Sequence, residues 1–415
     1  MRILVLNCGS SSLSYKLYED REGSAFGVLA AGKAHRVGVK GSEAAFLEHR
    51  HGGTADSPLG TTTRQTVAIP DHRRAAELIL AALAAGGLAV DAVGHRFLTA
   101  GSYFQSTTLL DAAALATLEL CRPLAPIHNP NSLNAIYACQ EALPGVAQFV
   151  VFDNAFHATL PDYASAYALP PDVIRRHGFR KYGFHGLSYA YVAAQVPQFL
   201  GRPAKGLRMV VCHLGTGGSS VAAIRDGRSL DTSMGFTPLQ GLVMSTRCGD
   251  LDPLVPVYLA ERGWSAEELT GLMNGQSGLL GLSGYSSDLR DLQRRAEEDG
   301  DERARLACAM YAYRIRKYIG SYAAVLGGLD VLAFTDDIGV QNWQVREQAC
   351  TGLAWCGVEI DPAANRGAAR DRIGVVSAEG AGVTVLVVPG DEELAIAEEG
   401  RKLLRSIPAG REATR

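Results

Sequence analysis

MVVCHLGTGGSSVAAIRDGRSLDTSMGFTPLQGLVMSTRCGDLDP occupies residues 209–253. Met209 to Cys212 is an apolar run that reads as a buried strand, Gly215 to Ser220 as a turn, and Val221 to Ile224 as the returning strand. Asp226-Gly227 turns the chain again. Gly215, Thr216, Gly217 and Gly218 therefore lie in a β-hairpin, not between a strand and a helix. Such glycines let the backbone approach a ligand closely and turn N–H groups toward it. An isolated motif of this kind is often only a tight turn. Here His213 precedes it, and Arg247, Asp250 and Asp252 follow, which favours a site.

Residues 3–17, ILVLNCGSSSLSYKL, repeat the device: apolar strand, polar turn, alternating strand. Asn7 stands at the strand end and Gly9 to Ser12 form the turn. Two such hairpins about two hundred residues apart predict two similar domains facing one another, with a phosphate-binding cleft between them. Neither loop has the GxxxxGK[ST] pattern and neither opens a helix, so a P-loop or a Rossmann site is disfavoured.

At 415 residues the chain has room for roughly two or three domains with ample core. A net charge of −3 gives no general attraction to nucleic acid or to anionic membranes, so neither is an expected partner. Anion binding must come from local arginines and backbone N–H groups. The eight cysteines show no zinc spacing and read as reduced, mostly buried thiols of a cytoplasmic protein. The N-terminus does not read as a signal peptide, and no apolar run reaches membrane-spanning length.

Along the chain, residues 31–70 read as strands and loops. His49 and His51 are expected to be solvated loop histidines rather than metal ligands. Asp71 caps a helix that Gly86-Gly87 ends. Val90 to Phe97 is a strand delivering Gly94-His95-Arg96, and in α/β domains ligands gather at strand ends. Arg96 is thus either a site residue or half of a strand-end salt bridge. Gln148 to Phe152 is a strand tipped by Asp153, either a helix cap or a ligand residue. A domain boundary is placed there: 1–150 with 390–415, against 151–389. Residues 302–327 read as a long helix with Ile315, Ile319, Tyr322 and Leu326 on its core face. Leu329 to Phe334 reads as a strand, Gln341 to Ala354 as a helix, 384–389 as the last strand, and residues from about 390 as the C-terminal helix.

With these pieces assembled the sequence resembles the acetate kinase family, part of the sugar kinase, Hsp70 and actin superfamily of folds. The matching blocks are NCGSSSL (7–13), GHR (94–96), LAPIHNPNSL (124–133), VFDNAFHATLP (151–161), YGFHGLS (182–188), HLGTGGSS (213–220), DTSMGFTPLQGLVMSTRCGDLDP (231–253), SGLLGLSGYSSDLR (277–290) and DEELAIA (391–397). The resemblance implies an α/β fold of two duplicated ribonuclease H-like domains, each a mixed five-stranded sheet flanked by helices. It also implies a homodimer through the second domain, and the Tyr-rich helix over 306–326 is our own expectation for part of that interface. The family's enzymes move a phosphoryl group between a nucleoside triphosphate and acetate, giving acetyl phosphate.

The resemblance gives the residues roles. Arg96 and Arg247 resemble the family's two essential arginines, which grip carboxylate and phosphoryl oxygens. His185 looks like the histidine that stabilises the transferring phosphoryl group, with His128 as its neighbour. Asp153, Asn7 and Glu392 resemble the residues around Mg²⁺. Asp153 is often given an acid/base role, but acetate is already ionised at neutral pH, so metal positioning suits it better. Leu98, Ile127, Phe184 and Pro238 should wall the methyl pocket. Leu98 replaces the usual valine and should favour acetate over propionate. Ser10, Ser12, Lys16, His213, Gly215, Thr216, Gly217, Gly218, Asp288, Arg290, Asp336, Asp337 and Gly339 fall on the phosphate and nucleotide side.

The departures cluster on that side. Ser14 stands where the family usually has lysine, with Lys16 two positions on, and Thr216 where asparagine is usual. The family's GGIGEN is here Asp336-Asp337-Ile338-Gly339-Val340-Gln341. Two glycines that would let the backbone approach purine and ribose become two carboxylates. A diphosphate-dependent branch of the family shows changes of this kind. The donor pair is therefore ATP/ADP or diphosphate/phosphate. The reading from another class is a non-catalytic acetyl phosphate sensor.

Overall fold

A computed structural model of the protein describes residues 1–21, 25–39, 43–52, 60, 62–126 and 128–406. Ile127 and the tail after Ser406 lie outside the described residues. The chain forms two compact units, Met1–Ala155 together with the stretch from Asp391 onward, and Phe156–Gly390.

The first unit holds β1 (Arg2–Cys8), β2 (Ser12–Glu19), β3 (Gly27–His35), β4 (Phe46–His51), β5 (Thr63–Thr66), β6 (Ala92–Phe97), β7 (Thr108–Leu109) and β8 (Ala147–Phe152) in one sheet, ordered β5-β4-β3-β2-β1-β6-β8-β7. The second holds β9 (Arg208–Gly215), β10 (Gly218–Arg225), β11 (Arg228–Thr232), β12 (Val331–Thr335), β13 (Gly374–Val375) and β14 (Thr384–Val387), ordered β11-β10-β9-β12-β14-β13. The two share one pattern. An antiparallel meander (β3-β2-β1, β11-β10-β9) is followed by two strands parallel to its last member (β6-β8, β12-β14). The expected five strands are this shared pattern, but the sheets have eight and six strands. β4, β5 and β7 extend the first and β13 the second.

Both faces of the second sheet are covered. Val210, Cys212 and Leu214 of β9 join one apolar cluster, and the alternating Met209 and Val211 join the other. That is why β9 reads as a continuous apolar run rather than an alternating one. The helix Glu302–Leu326 covers one face, with Tyr311, Ile315, Ile319, Tyr322 and Leu326 buried. Two of its tyrosines are thus spent on the unit's own core. Its outward side carries Leu306, Tyr313 and Val325, all exposed. Asp226 and Gly227 both take positive φ (56° and 74°), the primed turn that an Asp-Gly hairpin predicts.

Two readings need correction. His49 is not a solvated loop residue. It sits on β4, 8% exposed, with its Nδ1 on the hydroxyl of Tyr15, while His51 beside it is exposed. Among the described residues no group of three or more His, Cys, Asp or Glu is placed to hold a metal ion. Second, helix begins earlier than expected after β12. Asp336–Gln341 is itself helical, and Asn342 then caps a second helix, Trp343–Cys350, by accepting from Val345 N–H at 3.1 Å. Elsewhere Asp71 caps His72–Ala85 as expected, accepting from Arg74 N–H at 2.8 Å. All eight cysteines are free. No described helix is long and apolar enough to cross a membrane.

His95 gives the first unit an acid sensitivity. It is 1% exposed on β6, with Nε2 2.8 Å from Gln148 Oε1 of β8. Burial pushes its pKa down to about 4, the Gln148 hydrogen bond offsetting part of that. The unfolded chain takes this proton near ~6.5. Between the two values the unfolded state binds the extra proton, so stability falls as pH falls. The loss should reach about 3 kcal/mol at the lower end. Urea unfolding at neutral and acid pH should show a His95→Gln variant losing less than the parent. Equal acid losses in the two proteins would refute the assignment.

Candidate active site

In the first unit, the ends of β1, β6 and β8 bring Asn7, Arg96 and Asp153 together. Arg96 Nη2 donates to Asp153 Oδ2 at 2.6 Å, and Nη1 to Asn7 Oδ1 at 3.3 Å. Asp153 is fully buried, and its Oδ1 has no hydrogen-bond partner among the described residues, nor has Arg96 Nε. Burial would lower the Arg96 pKa, but the carboxylates of Asp153 and Glu392 outweigh it and raise the pKa well above the usual guanidinium value. Of the two readings of Arg96 and of Asp153, the geometry answers the structural halves. The pair is a salt bridge, and Asp153 caps no helix. A buried carboxylate oxygen left unpaired is costly, and it marks a place built for something else to occupy.

The helix Glu392–Ser406 supplies the acidic side. The Asn7 amide donates to Glu392 Oε2 at 3.1 Å and to Glu393 Oε1 at 3.2 Å, so its oxygen is turned toward Arg96. Lys16 lies on the same face of the sheet as Asn7, since β1 and β2 pair Asn7 with Ser14 and Val5 with Lys16. Its ammonium is tied to Asp391 Oδ2 at 2.6 Å, one pleat beyond the place of the usual lysine. The first turn is held from below. Gly9 N–H donates to Ser12 O at 2.8 Å, and buried His72 reaches Gly9 O at 2.9 Å. Ser10 is exposed and Ser12 half-buried. His128 opens the helix His128–Ala142, and Leu98 is half-buried just past β6.

In the second unit, Thr216-Gly217 is the two-residue turn between β9 and β10. His185 and His213 lie ring against ring, centroids 4.0 Å apart and planes tilted by 32°. His185 Nδ1 is 2.7 Å from Ser220 Oγ, which Tyr189 also bonds, and His213 Nδ1 is 2.9 Å from Ser188 Oγ. Arg247 comes in beside them. A Cβ placed on Gly218 would stand 3.0 Å from Arg247 Nη1 and 3.6 Å from His185 Nε2, so this glycine is where the two side chains converge. Among the described residues the Arg247 guanidinium donates only to Pro238 O at 3.4 Å and Met244 Sδ at 3.5 Å, and no carboxylate pairs with it. Burial pushes its pKa down. An uncompensated guanidinium facing a glycine turn suits an incoming anion. Phe184 is buried, and its carbonyl lies 3.0 Å from His157 Nε2.

The helix Asp336–Gln341 meets the same turn. Asp337 Oδ1 accepts from Thr216 N–H at 2.8 Å, and its Oδ2 from Thr216 Oγ1 at 2.5 Å. Asp336 Oδ2 is 3.0 Å from His213 Nε2 and lies against Gly215, where any Cβ would overlap it. Asp336 has φ 65°, so the backbone keeps a path natural to glycine and only the side chain is new. Buried Arg346 pins this helix by donating to Gly339 O and Val340 O at 2.8 and 2.9 Å. Beside the turn opens a cavity of about 660 Å³ whose walls include Thr216, Asp337, Gln341 and Trp343. Asp288 and Arg290 line it too, bonded to each other at 2.7 Å.

Reading the sequence missed His72, Glu393, Asp391, Ser188 and Ser220, which hold these groups in place. Ser188, Ser220, Asp391 and Glu393 lie inside the blocks YGFHGLS, HLGTGGSS and DEELAIA, whose pattern was the available signal, and His72 carried none.

Three comparisons bear on this geometry. The Acetokinase family model matches residues 2–398. The chain is 44% identical to an acetate kinase of Heliobacterium modesticaldum, covering 98% of this chain and all of that one. The crystal structure of Porphyromonas gingivalis acetate kinase superposes with a TM-score of 0.85 at 41% identity, covering 97% of this chain and 99% of that one. That of acetate kinase from Entamoeba histolytica gives 0.87 at 36% identity, covering 98% and 100%.

Proposed function

The chain belongs to the acetokinase family, and from that premise we propose that it transfers a phosphoryl group reversibly to acetate, giving acetyl phosphate. The observation that carries this reading is the Arg96–Asp153 couple, a part-buried guanidinium on a fully buried carboxylate whose second oxygen is unpaired among the described residues. Acetate is already a carboxylate at neutral pH, so the site needs no general base. It needs cations to cancel the repulsion between two anions and to align them in line. Arg96 binds the carboxylate, and Arg247 with His185 holds the phosphoryl oxygens.

Asn7, Asp153 and Glu392 are the residues that would hold Mg²⁺. Oxygen donors suit a hard cation, and Mg²⁺ commonly takes one or two carboxylates with waters and substrate phosphates making up the rest. When bound, the ion neutralises charge on the transferring phosphoryl group. The buried, unpaired Asp153 Oδ1 is the observation that fits it.

For the donor pair we place diphosphate and orthophosphate before ATP and ADP, because Asp336 and Asp337 stand at the turn where the family usually has glycines. Acetyl phosphate formation from acetate, Mg²⁺ and either ATP or diphosphate, trapped with hydroxylamine, tests both points. No product with either donor defeats the kinase reading, and strong ATP-dependent turnover defeats the donor reading alone. Leu98 favours acetate over propionate, which a substrate series measures. A cytoplasmic homodimer, associating through the outward side of Glu302–Leu326, completes the proposal; sedimentation tests the association.

A further inference from the structure

We propose that Asp336 and Asp337 are donor-specificity residues that act as a resident anion: their carboxylates occupy the β9–β10 turn in the free protein, so the donor is selected by whether it must pass them. The proposal rests on the reading of the second unit's turn as the phosphate-binding loop.

The Asp337 carboxylate takes the Thr216 N–H and the Thr216 hydroxyl together. Two departures from the family pattern, threonine for asparagine at 216 and aspartate for glycine at 337, are thus the two ends of one contact. The Asp336 carboxylate closes the other side, between His213 Nε2 and Gly215. The turn is tethered further where Ser245 Oγ donates to Thr216 O at 3.0 Å, so it cannot easily swing aside with its bound carboxylate. The helix carrying both aspartates is pinned by Arg346. Neither partner of the contact is on a loose segment.

A backbone N–H that would meet a phosphate oxygen is therefore already satisfied by a carboxylate. An arriving anion must displace that carboxylate and tolerate its charge nearby. The Thr216–Asp337 contact also forms part of the wall of the 660 Å³ cavity. A donor with one end in that cavity and its phosphates at the turn has to run past the contact. Diphosphate meets the same carboxylate at the turn but carries nothing past it into the cavity. The aspartates therefore penalise a nucleoside triphosphate more than diphosphate.

The test compares wild type with Asp336→Gly/Asp337→Gly, Asp337→Asn and Asp337→Ala. The double variant should shift the ratio of kcat/KM for ATP over that for diphosphate toward ATP by about tenfold or more, mainly through the ATP KM, with the acetate KM unchanged. Asp337→Asn, which keeps an acceptor but not the charge, should shift it part of the way. Independently of turnover, calorimetry with inorganic phosphate should show Asp337→Ala binding about tenfold tighter than wild type, because the Thr216 N–H is released. An unchanged ATP/diphosphate ratio in a folded double variant overturns the proposal. So does equal phosphate affinity in Asp337→Ala and wild type, a result that stands even if the wild-type chain makes no acetyl phosphate.

Discussion

Arg247→Ala should lower kcat for acetyl phosphate formation by about 10³-fold or more, the scale of an arginine that stabilises a transferring phosphoryl group. The fold should not suffer. Arg247 is half-buried, and among the described residues its guanidinium has no carboxylate partner and only two long hydrogen bonds, to Pro238 O and Met244 Sδ. A half-buried cation without a counter-ion is a cost to the folded state, so its removal should leave urea stability unchanged or raise it by about 1 kcal/mol at most. Lost turnover with kept stability distinguishes a residue held ready for a ligand from one that holds the fold. Arg247→Lys keeps the charge but not the fork of donors, and should recover only part of the rate. Turnover in Arg247→Ala within tenfold of wild type would remove Arg247 from the chemistry. A wild-type chain that binds acetyl phosphate but never makes it would mean a sensor.

Much of this arrangement could be read from local pattern, because local chemistry produces it. The β9–β10 hairpin follows from an apolar run, a glycine turn and a return, and Asp226-Gly227 dictates the next turn. The duplication is visible because Gly9 to Ser12 repeats the same device. What escaped was either weak or distant. β5 is exposed throughout, and β7 and β13 are two residues each, so no alternation announces them. Asp336-Asp337 looks like an interruption to helix, yet acidic residues in a first turn favour one. The Lys16–Asp391 ion pair spans most of the chain, and Glu393 meets Asn7 from a helix that returns to the first unit. No reading of a single sequence pairs such residues. The Thr216–Asp337 contact is the instructive case, since both positions were noticed as departures and only the structure joins them.

The opposite signature is expected at Asp153. Asp153→Ala should lower both stability and turnover, because it removes the partner of a part-buried cation and a carboxylate oxygen with no other task. Arg96 would keep Asn7 Oδ1 at 3.3 Å and the attraction of Glu392, but its 2.6 Å bond to Asp153 would be gone. Breaking a fully buried pair from one side costs about 3–5 kcal/mol; the Arg96 side chain is 16% exposed and keeps Asn7, so the loss should be smaller, about 2–3 kcal/mol, which urea unfolding can read. Asp153→Asn separates the two effects. Its amide oxygen can still accept from Arg96 Nη2, so stability should fall less than in Asp153→Ala. The negative charge that would face Mg²⁺ is lost in both, so turnover should fall by about 10²-fold or more in both. Calorimetry should also show weaker Mg²⁺ binding to each variant, a readout that does not depend on activity. If Asp153→Asn bound Mg²⁺ and turned over like wild type, Asp153 would be only the counter-ion of Arg96, and the unpaired oxygen would have no part in the site.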